Sequence, residues 1–363
     1  MRSTSLPRDV SRPSVVAYRA MRVAVVFDTP YEGWTPDQHA VQMTKDLANW
    51  KKVEPDMEYQ VAQALQKNGH DVLLIGIHDD LRDMSARLAD WKPDLVFNAT
   101  EAFLDNPSLD YLVPALLEAE GYRYTGAPPL ALLVTRNKAM AKKILAYHGV
   151  NVPAFKSYRV GESPGDTVEM RFPLIVKPLA TDASEGIAQA SIVHDVSALR
   201  ERIKFVHDRF AQPALAEEYI EGRELYATML GNGDKTEVLP VVEMVFDEAG
   251  SRPEDRIASK SAKWDMAYRK RRGIRNVFAR RMSKLAKERL ATTCYASYRA
   301  LWLRDYARID VRLAPDDSIW FIEANANPFL SYGHDSAEAA HKLGLDYNAF
   351  IHRIVEEAMA RNP

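Results

Sequence analysis

Cysteine is nearly absent from this chain of 363 residues, which has one thiol, Cys294, and so cannot form an internal disulfide. A single thiol fits a reducing cytoplasm, and its place in a helical pattern predicts a buried structural group rather than a nucleophile. Long apolar runs are also lacking, since no segment reaches the roughly 18 residues of a membrane span or forms the apolar core of a signal peptide. These absences predict a cytoplasmic protein that does not enter a membrane.

A strong charge of either sign is missing too. The sequence has 48 Lys and Arg against 50 Asp and Glu, a net charge of −2, which gives no general attraction to nucleic acid or to an anionic membrane. No Ser-His-Asp or Cys-His arrangement is visible, and the nine histidines show no short metal-binding spacing. The hydrophobic content of 47% is that of an ordinary globular protein, and the length allows two or three domains.

The first organised part of the chain alternates strands with helices. Residues 1–20 have no regular period and predict a loose tail. The alternation that follows predicts a doubly wound parallel sheet, with ligands beyond the C-terminal ends of its strands. The predicted strands are Arg22–Phe27, Asp71–Ile77 and Asp94–Asn98, and the predicted helices are Pro55–Asn68 and Leu112–Glu120.

Two loops follow strands of this sheet, Asp28–Trp34 and Ala99–Asp105, and they are the expected ligand loops. No G-x-G-x-x-G motif follows the first strand, which argues against a dinucleotide-dependent dehydrogenase. Glu101 in the second loop could hold a substrate amine, and the alternative is an ordinary loop carboxylate.

The middle of the chain carries two lysines at the edges of predicted elements. A helical pattern over residues 136–147 includes Lys138, and the apolar strand Phe172–Pro178 includes Lys177. A second strand is predicted at Ile187–Val193. A hairpin of this kind can cover nucleotide phosphates with its lysine and backbone N–H groups, or the lysine can simply reach solvent from a buried strand.

Acidic residues then flank a glycine turn at Gly222. A strand leading into such a turn can present backbone groups to an adenine edge, and an acid after it can accept from ribose hydroxyls. The alternative is a surface hairpin rich in glutamate. The residues concerned are Glu217, Glu218, Tyr219, Ile220 and Glu224.

Near the C-terminus, residues 308–313 and 319–325 alternate apolar with polar side chains and predict an antiparallel hairpin. Facing carboxylates only about 5 Å apart at Cβ repel each other unless a cation lies between them, and oxygen ligands suit Mg²⁺. The alternative is a solvated polar face. A turn centred between residues 316 and 317 sets two cross-strand pairs, Asp310 with Glu323 and Arg308 with Asn325.

Taken in order, these segments resemble the ATP-grasp ligases of the D-alanine:D-alanine ligase type over residues 97–347. The resemblance implies an α/β ATP-grasp fold, in which an N-terminal doubly wound parallel-sheet domain precedes two α+β subdomains that clasp ATP. The motifs that carry it are Tyr124–Gly126, the Lys138 helix, Phe172–Pro178, Glu217–Glu224, Arg308–Asp310 and Glu323–Pro328. The implied ranges are 21–134 for the N-terminal domain, 135–230 for the small subdomain, and 231–363 for the C-terminal subdomain with a lid at about 251–283.

The resemblance also implies a role for each candidate residue. Lys138 and Lys177 would contact the ATP phosphates, Glu217, Glu218, Tyr219 and Ile220 the adenine, and Glu224 the ribose. Asp310, Glu323 and Asn325 would hold two Mg²⁺ ions, with Mn²⁺ as a substitute. The implied catalytic set is Arg308 at the oxyanion, Lys263 near the γ-phosphate beside a substrate-covering Trp264, Ser184 in the phosphate loop and Glu101 at the substrate.

The implied activity is ATP-dependent joining of a small carboxylate to an amine, through an acyl phosphate and with release of ADP. An amino acid or dipeptide is the expected substrate, and a homodimer through the N-terminal domain is the expected assembly. The alternatives are a non-catalytic nucleotide-binding regulatory protein, or an ATP-dependent cyclase or kinase acting on a small carboxylate.

Some segments depart from the family pattern, and the departures bear on which substrates the protein binds. The phosphate loop, residues 181–186, carries two acids, and the loop at 28–34 lacks the usual Gly-Gly and Ser-x-Glu pattern. A basic run at residues 269–281 allows three interpretations: nucleic-acid binding, recognition of an acidic or larger substrate, and a solvated helix face, which the overall charge favours. The candidates for holding a second substrate carboxylate are Ser331, His334, Asp335 and Ser336.

Overall fold

The structure, a computed structural model, describes residues 19–29, 56–181, 184–247 and 256–361. Its N-terminal part is a parallel sheet in the order β2-β1-β3, which confirms the predicted doubly wound sheet. Alternate residues of β1 pack on opposite faces: Val23 and Val25 lie against α1, and Ala24 and Val26 lie against α2 and α3. The elements are β1 (Arg22–Asp28), α1 (Met57–Lys67), β2 (Asp71–Ile77), α2 (Leu81–Trp91), β3 (Leu95–Asn98) and α3 (Leu112–Ala119).

Residues 1–18 of the predicted tail and residues 30–34 of the loop at 28–34 lie outside the described residues. None of the helices within the described ranges is long and apolar enough to cross a membrane.

The helix predicted over residues 136–147 is wrong at its start, because two helices meet there. Helix α4 (Pro129–Arg136) ends at Asn137, and α5 (Lys138–Tyr147) begins after it. The Asn137 backbone is extended, and its side chain accepts from the Met140 N–H at 3.0 Å. An asparagine cap of this kind starts a new helix, so Lys138 occupies the first position of α5.

An antiparallel sheet in the order β4-β7-β5-β6 follows, with one long helix packed on it. The strand predicted at Ile187–Val193 is largely wrong, since only Ile192–Val193 forms a strand and a 3₁₀ turn at Gln189–Ser191 precedes it. Arg202 donates to the Ser191 hydroxyl at 2.7 Å and holds this turn in place. The elements are β4 (Phe155–Tyr158), β5 (Leu174–Pro178), β6 (Ile192–Val193), α6 (Val196–Phe210) and β7 (Ala214–Glu218).

A third, six-stranded sheet has the order β11-β10-β8-β12-β13, with β9 paired to β8. The predicted ranges assign residues 223–230 to the small subdomain, whereas β8 pairs within this larger sheet; the domain boundaries stay a prediction. The strands are β8 (Arg223–Leu230), β9 (Glu237–Val238), β10 (Val242–Val245), β11 (Arg275–Phe278), β12 (Tyr306–Leu313) and β13 (Ile319–Asn325). The helices are α7 (Lys260–Trp264), α8 (Met266–Arg271), α9 (Lys284–Ala300), α10 (Asp335–Leu343) and α11 (Tyr347–Ala360).

The hairpin of β12 and β13 confirms both predicted pairs by a route that the sequence did not reveal. Asp310 lies opposite Glu323 and Arg308 lies opposite Asn325, but Val311 pairs with Phe321. Ile322 is therefore the extra residue of a β-bulge, and the turn is centred on Asp316 rather than after it. The shift of the turn centre and the extra residue of the bulge offset each other, so the pairs Asp310–Glu323 and Arg308–Asn325 keep the predicted register.

The chain ends by packing back on its beginning. Ile351 and Val355 of α11 belong to the same buried cluster as Val25 and Leu65 of the N-terminal sheet and α1. Cys294 is fully buried in α9, as predicted, and burial raises the pKa of its thiol to about 12. The shared cluster therefore ties α11 to the N-terminal sheet and to α1.

Candidate active site

Two adjoining clefts lie among the sheets and share Lys263 and Glu323 at their junction. The small cleft lies between β5–β7 and the β8–β12–β13 strands and has an empty volume of about 550 Å³, including its open mouth. The large cleft extends from that junction to the ends of β1 and β3. The junction is therefore a place where occupants of both clefts could meet.

The small cleft brings together most of the residues predicted for the nucleotide. Five isoleucines, of which Ile175 lies in β5 and Ile322 in β13, give it apolar walls that suit a planar base. The predicted residues that line it are Lys177, Ser184, Glu217, Glu218, Tyr219, Ile220, Glu224, Lys263, Asp310 and Glu323. Lys138 lies behind this wall, buried, with its ammonium 3.9 Å from Glu323 and donating to the Thr181 carbonyl.

Glu217 is a buried anion held between two lysines. Its carboxylate oxygens lie 2.6 Å from Lys177 Nζ and 3.2 Å from Lys142 Nζ. Burial opposes ionisation of Glu217, but the two lysines outweigh burial and lower its pKa. Lys142 also donates to the Ile322 carbonyl at 2.9 Å, and its burial lowers its own pKa to about 8. Residues 217–220, which are predicted to contact adenine, form the hinge at the end of β7. The network fixes β7, so the Glu217 side chain supports the hinge from behind.

Arg312 joins the parts of the proposed base and ribose site. It donates to Glu224 at 2.9 Å, to the Tyr219 hydroxyl at 2.8 Å and to the Ile220 carbonyl at 3.2 Å. Its guanidinium lies over the Tyr219 ring, with Cζ 4.9 Å from the ring centroid. The Glu224 carboxylate also accepts from the Tyr226 hydroxyl at 3.1 Å. Glu224 therefore enters the small cleft already oriented by two donors.

The facing carboxylates of β12 and β13 occupy different electrostatic environments. Burial opposes the charge of Glu323, but Lys138, Lys263 and other nearby cations hold its pKa at about 2. Burial raises the pKa of Asp310 to about 6, against the effect of Arg308, which binds both its oxygens at 2.7 and 2.9 Å. A strongly cationic field thus surrounds Glu323, as a site for a polyanion requires.

The residues present fit a divalent cation that is completed by other ligands. Within the described ranges no group of three or more His, Cys, Asp or Glu side chains could hold a metal by itself. Asp310, Glu323 and Asn325 supply only oxygen ligands, the type that Mg²⁺ prefers, and leave room for phosphate oxygen and water. The buried Nδ2 atom of Asn325 has no hydrogen-bond partner among the described atoms, and as a donor it suits an oxygen of a bound phosphate rather than the cation itself.

The large cleft contains the other predicted residues and the substrate candidates. Glu101, Arg308 and Asn325 line it, as do Trp264 and Asp335. Glu101 lies at the far end, where its N–H donates to Asp28 Oδ1 at 2.7 Å. Of the candidates for a second carboxylate, Ser331 and Ser336 are buried, and His334 and Asp335 line the cleft.

The described part of the predicted lid, residues 256–283, forms α7, α8 and β11 at the mouth of the clefts. Lys263 lies 4.0 Å from Glu323, and Trp264 is half-exposed beside His334, with ring centroids 6.2 Å apart. In the basic run, Arg269 donates to the Ala262 carbonyl and most other cationic side chains face solvent. A solvated face therefore accounts for most of this run.

Comparison with known proteins gives the class to which this architecture belongs. A solved D-alanine–D-alanine ligase from Bacillus anthracis, complexed with ATP, superposes with a TM-score of 0.69 at 21% identity, covering 94% of this chain and 98% of that one. The VanG D-Ala:D-Ser ligase from Enterococcus faecalis gives 0.65 at 17% identity, covering 94% and 100%. The fold is that of the ATP-grasp ligases.

Sequence comparison then gives the family. The model of the D-ala D-ala ligase C-terminus matches residues 144–356, and the chain belongs to this D-alanine–D-alanine ligase family. Relatives include the uncharacterized protein y4sG of Sinorhizobium fredii, 34% identical over 83% of this chain and 87% of the relative. The D-alanine–D-alanine ligase of Aquifex aeolicus is 28% identical over 81% of this chain and 92% of its own length.

Three residues of the site were not predicted: Lys142, Arg312 and Tyr226. Arg312 had a visible signal, because it follows Arg308 and Asp310 at alternate positions of one strand and so shares their face. Tyr226 and Lys142 lacked a comparable signal. Their importance depends on pairing between β8 and β12 and between α5 and β7, which periodicity does not reveal.

Proposed function

We propose that this protein is an ATP- and Mg²⁺-dependent carboxylate–amine ligase that forms an amide bond through an acyl phosphate. The observation that carries the proposal is the junction of the two clefts at Lys263 and Glu323. A nucleotide in the small cleft would direct its γ-phosphate to the place where a carboxylate in the large cleft can reach it. The names of the D-alanine–D-alanine ligase relatives support the same chemistry.

The proposed reaction has two steps. In the first, Lys138, Lys177 and Lys263 neutralise phosphate charge while a carboxylate oxygen attacks the γ-phosphorus, giving an acyl phosphate and ADP. A metal held by Asp310, Glu323 and Asn325 would neutralise further phosphate charge. In the second step the amine nitrogen attacks the acyl carbon. The bond from that carbon to the phosphate oxygen breaks, phosphate leaves with the electron pair, and the nitrogen loses a proton.

Arg308 would act in the second step. Its Nε and one terminal nitrogen donate to Asp310. Its other terminal nitrogen lies 4.0 Å from Asp335, which lines the large cleft. Attraction to Asp310 and Asp335 keeps this guanidinium charged despite its burial, because both raise its pKa. A fixed cation of this kind stabilises a developing oxyanion, typically by about 3 kcal/mol. The homodimer stays a prediction of the family resemblance, and the cytoplasmic location stays a prediction from the sequence.

An isotope experiment tests the chemistry directly. The enzyme is incubated with ATP, Mg²⁺ and a panel of D- and L-amino acids, dipeptides and small carboxylic acids, paired with amines, and products are weighed by mass spectrometry. We expect a product lighter by one water than the sum of the acid and amine. With an ¹⁸O-labelled carboxylate, the released phosphate should contain one ¹⁸O atom, because the oxygen that attacked phosphorus leaves with it.

The control is Glu323→Gln, which removes the charge at the junction and should stop phosphate release. Phosphate release without ¹⁸O transfer would contradict the acyl phosphate. ATP binding without turnover in any pairing would favour the regulatory protein.

A further inference from the structure

We infer that the amine acceptor of this enzyme lacks a carboxylate next to its amino group, and that Asp335 sets this preference. The inference rests on the proposed function, since it concerns the substrate that attacks the acyl phosphate. It identifies the acceptors as neutral or cationic amines, such as amino amides and diamines, rather than free amino acids.

The first argument is the position of Asp335 relative to Arg308. The Asp335 carboxylate lies in the large cleft, 4.0 Å from a terminal nitrogen of Arg308, on the opposite side of that guanidinium from Asp310. A carboxylate on the acceptor would be drawn to the same cation. The acceptor carboxylate would then lie beside the Asp335 carboxylate, and two negative charges this close to one guanidinium repel each other.

The second argument is the position of Asp335 at the start of α10. It is the first residue of a nine-residue helix, and Glu338 is also acidic in the first turn. The positive end of a helix attracts anions, which makes it a natural place for a substrate carboxylate. Here the protein's own acids occupy it.

The third argument is that Asp335 is held in place. Its Oδ1 atom accepts from Asn276 Nδ2 at 2.7 Å, and Asn276 Oδ1 accepts from Arg269 at 3.1 Å. This chain of polar contacts runs from the lid helix α8 through β11 to α10. Asp335 therefore cannot turn away from Arg308 without breaking a contact that also positions the lid.

The remaining candidates do not offer a replacement site. Ser331 is buried. Ser336 is also buried, and its hydroxyl lies 3.2 Å from the hydroxyl of Thr228. His334 packs edge-on to Phe329, with ring centroids 4.8 Å apart, and beside Trp264. This aromatic wall suits the apolar or cationic body of an amine, because cations are attracted to aromatic faces.

The test separates donor activation from acceptor choice. Hydroxylamine, a small amine without a carboxylate, is first used with ATP, Mg²⁺ and the donor panel, and hydroxamate formation identifies the donor. With that donor, kcat/KM is measured for three matched acceptors in both enantiomers: alanine, alaninamide and 1,2-diaminopropane. We expect alaninamide or the diamine to exceed alanine at least tenfold.

Asp335→Asn then tests the residue, because asparagine keeps the shape and can still contact Asn276. We expect the preference over alanine to fall at least tenfold, mainly through a lower KM for alanine. Glu288→Gln, an equal charge change on the exposed face of α9, should leave the preference unchanged. Preference for alanine in the unaltered enzyme, or an unchanged preference in Asp335→Asn, overturns the inference while hydroxamate formation still supports the ligase. Absence of hydroxamate with every donor overturns the activation step and the acceptor inference with it.

Discussion

Arg312 lies directly opposite Glu224 on neighbouring strands β12 and β8, and its guanidinium donates to the Glu224 carboxylate at 2.9 Å. The same guanidinium binds the hinge at Tyr219 and the Arg256 carbonyl at the start of the lid. One side chain therefore links the base, ribose and lid parts of the small cleft.

Arg312→Met should raise the KM for ATP about tenfold and change kcat much less. The reason is that loss of the guanidinium frees Glu224 and the hinge, both on the nucleotide side, without altering the junction at Lys263. A cost of about 1.4 kcal/mol in binding corresponds to this factor. Initial rates at varied ATP and saturating substrates measure it. A fall in kcat with an unchanged KM would show that Arg312 acts at the phosphoryl group instead.

Asp310→Asn and Glu323→Gln should each lower ATP turnover at least a hundredfold without unfolding the chain. Both changes keep the shape of the side chain but remove a charge that is needed to hold a divalent cation beside phosphate. Chelation of divalent cations should stop the unaltered enzyme, and added Mg²⁺ should restore it. Turnover and circular dichroism are measured together. Asp316→Asn, at the turn end of the same hairpin, is the matched control and should remain active. Full turnover in either site variant would remove these residues from the metal site.

The β12–β13 hairpin shows how much of the site could be predicted from the sequence. Alternating polarity gave the faces of both strands, and the assumed turn gave the pairing of Asp310 with Glu323, which is correct because the bulge offsets the shift of the turn. The bulge at Ile322 could not be predicted, because it depends on how the backbone bends over its neighbours rather than on local pattern. Likewise, the helix Pro129–Arg136 was not predicted, and Arg136 was assigned to the next helix, although the Asn137 cap divides the two.

Longer-range contacts set the other limit of sequence reasoning. Strand order in the six-stranded sheet brings β8 between β10 and β12, and this order places Glu224 and Tyr226 beside the β12 charges. No local period encodes such neighbours. Glu224 was predicted as a ribose contact from its motif and the family resemblance, whereas the contacts of Tyr226 and Lys142 were seen only in the structure.

Lys142→Met should destabilise the fold by about 3 kcal/mol. The change leaves Glu217 buried with one cation fewer, and breaking a buried ion pair from one side is costly because the remaining charge loses its partner. Urea unfolding at neutral pH measures the loss. Lys143→Met, an exposed position on the same helix, is the control and should change the free energy of unfolding by less than about 0.5 kcal/mol. Equal stability of the two variants would mean that Lys177 alone compensates Glu217.

Acid should weaken the contact between the N-terminal domain and α11, where His70 and His352 stack with ring nitrogens 3.1 Å apart. Burial, with a further contribution from His70, lowers the pKa of His352 to about 4, and burial also lowers that of His70. In the unfolded chain these histidines take up protons near pH 6.5, whereas in the folded chain burial resists their protonation. Their contribution to the free energy of unfolding should therefore be constant above about pH 6.5 and fall towards about pH 4. Glu356, 3.6 Å from His352, limits the fall by attracting the imidazolium.

His352→Gln should therefore reduce the loss of stability between pH 7 and pH 5 by roughly 1 kcal/mol relative to the unaltered chain. The glutamine does not titrate, so its variant keeps only the contribution of His70 and of the carboxylates. Urea unfolding at the two pH values gives this difference, and other acid effects cancel because they are common to both chains. His341→Gln, on exposed α10 surface, is the matched control and should follow the unaltered chain. An undiminished acid loss in His352→Gln would show that His352 takes up protons equally in the folded and unfolded chains, so that burial does not resist its protonation.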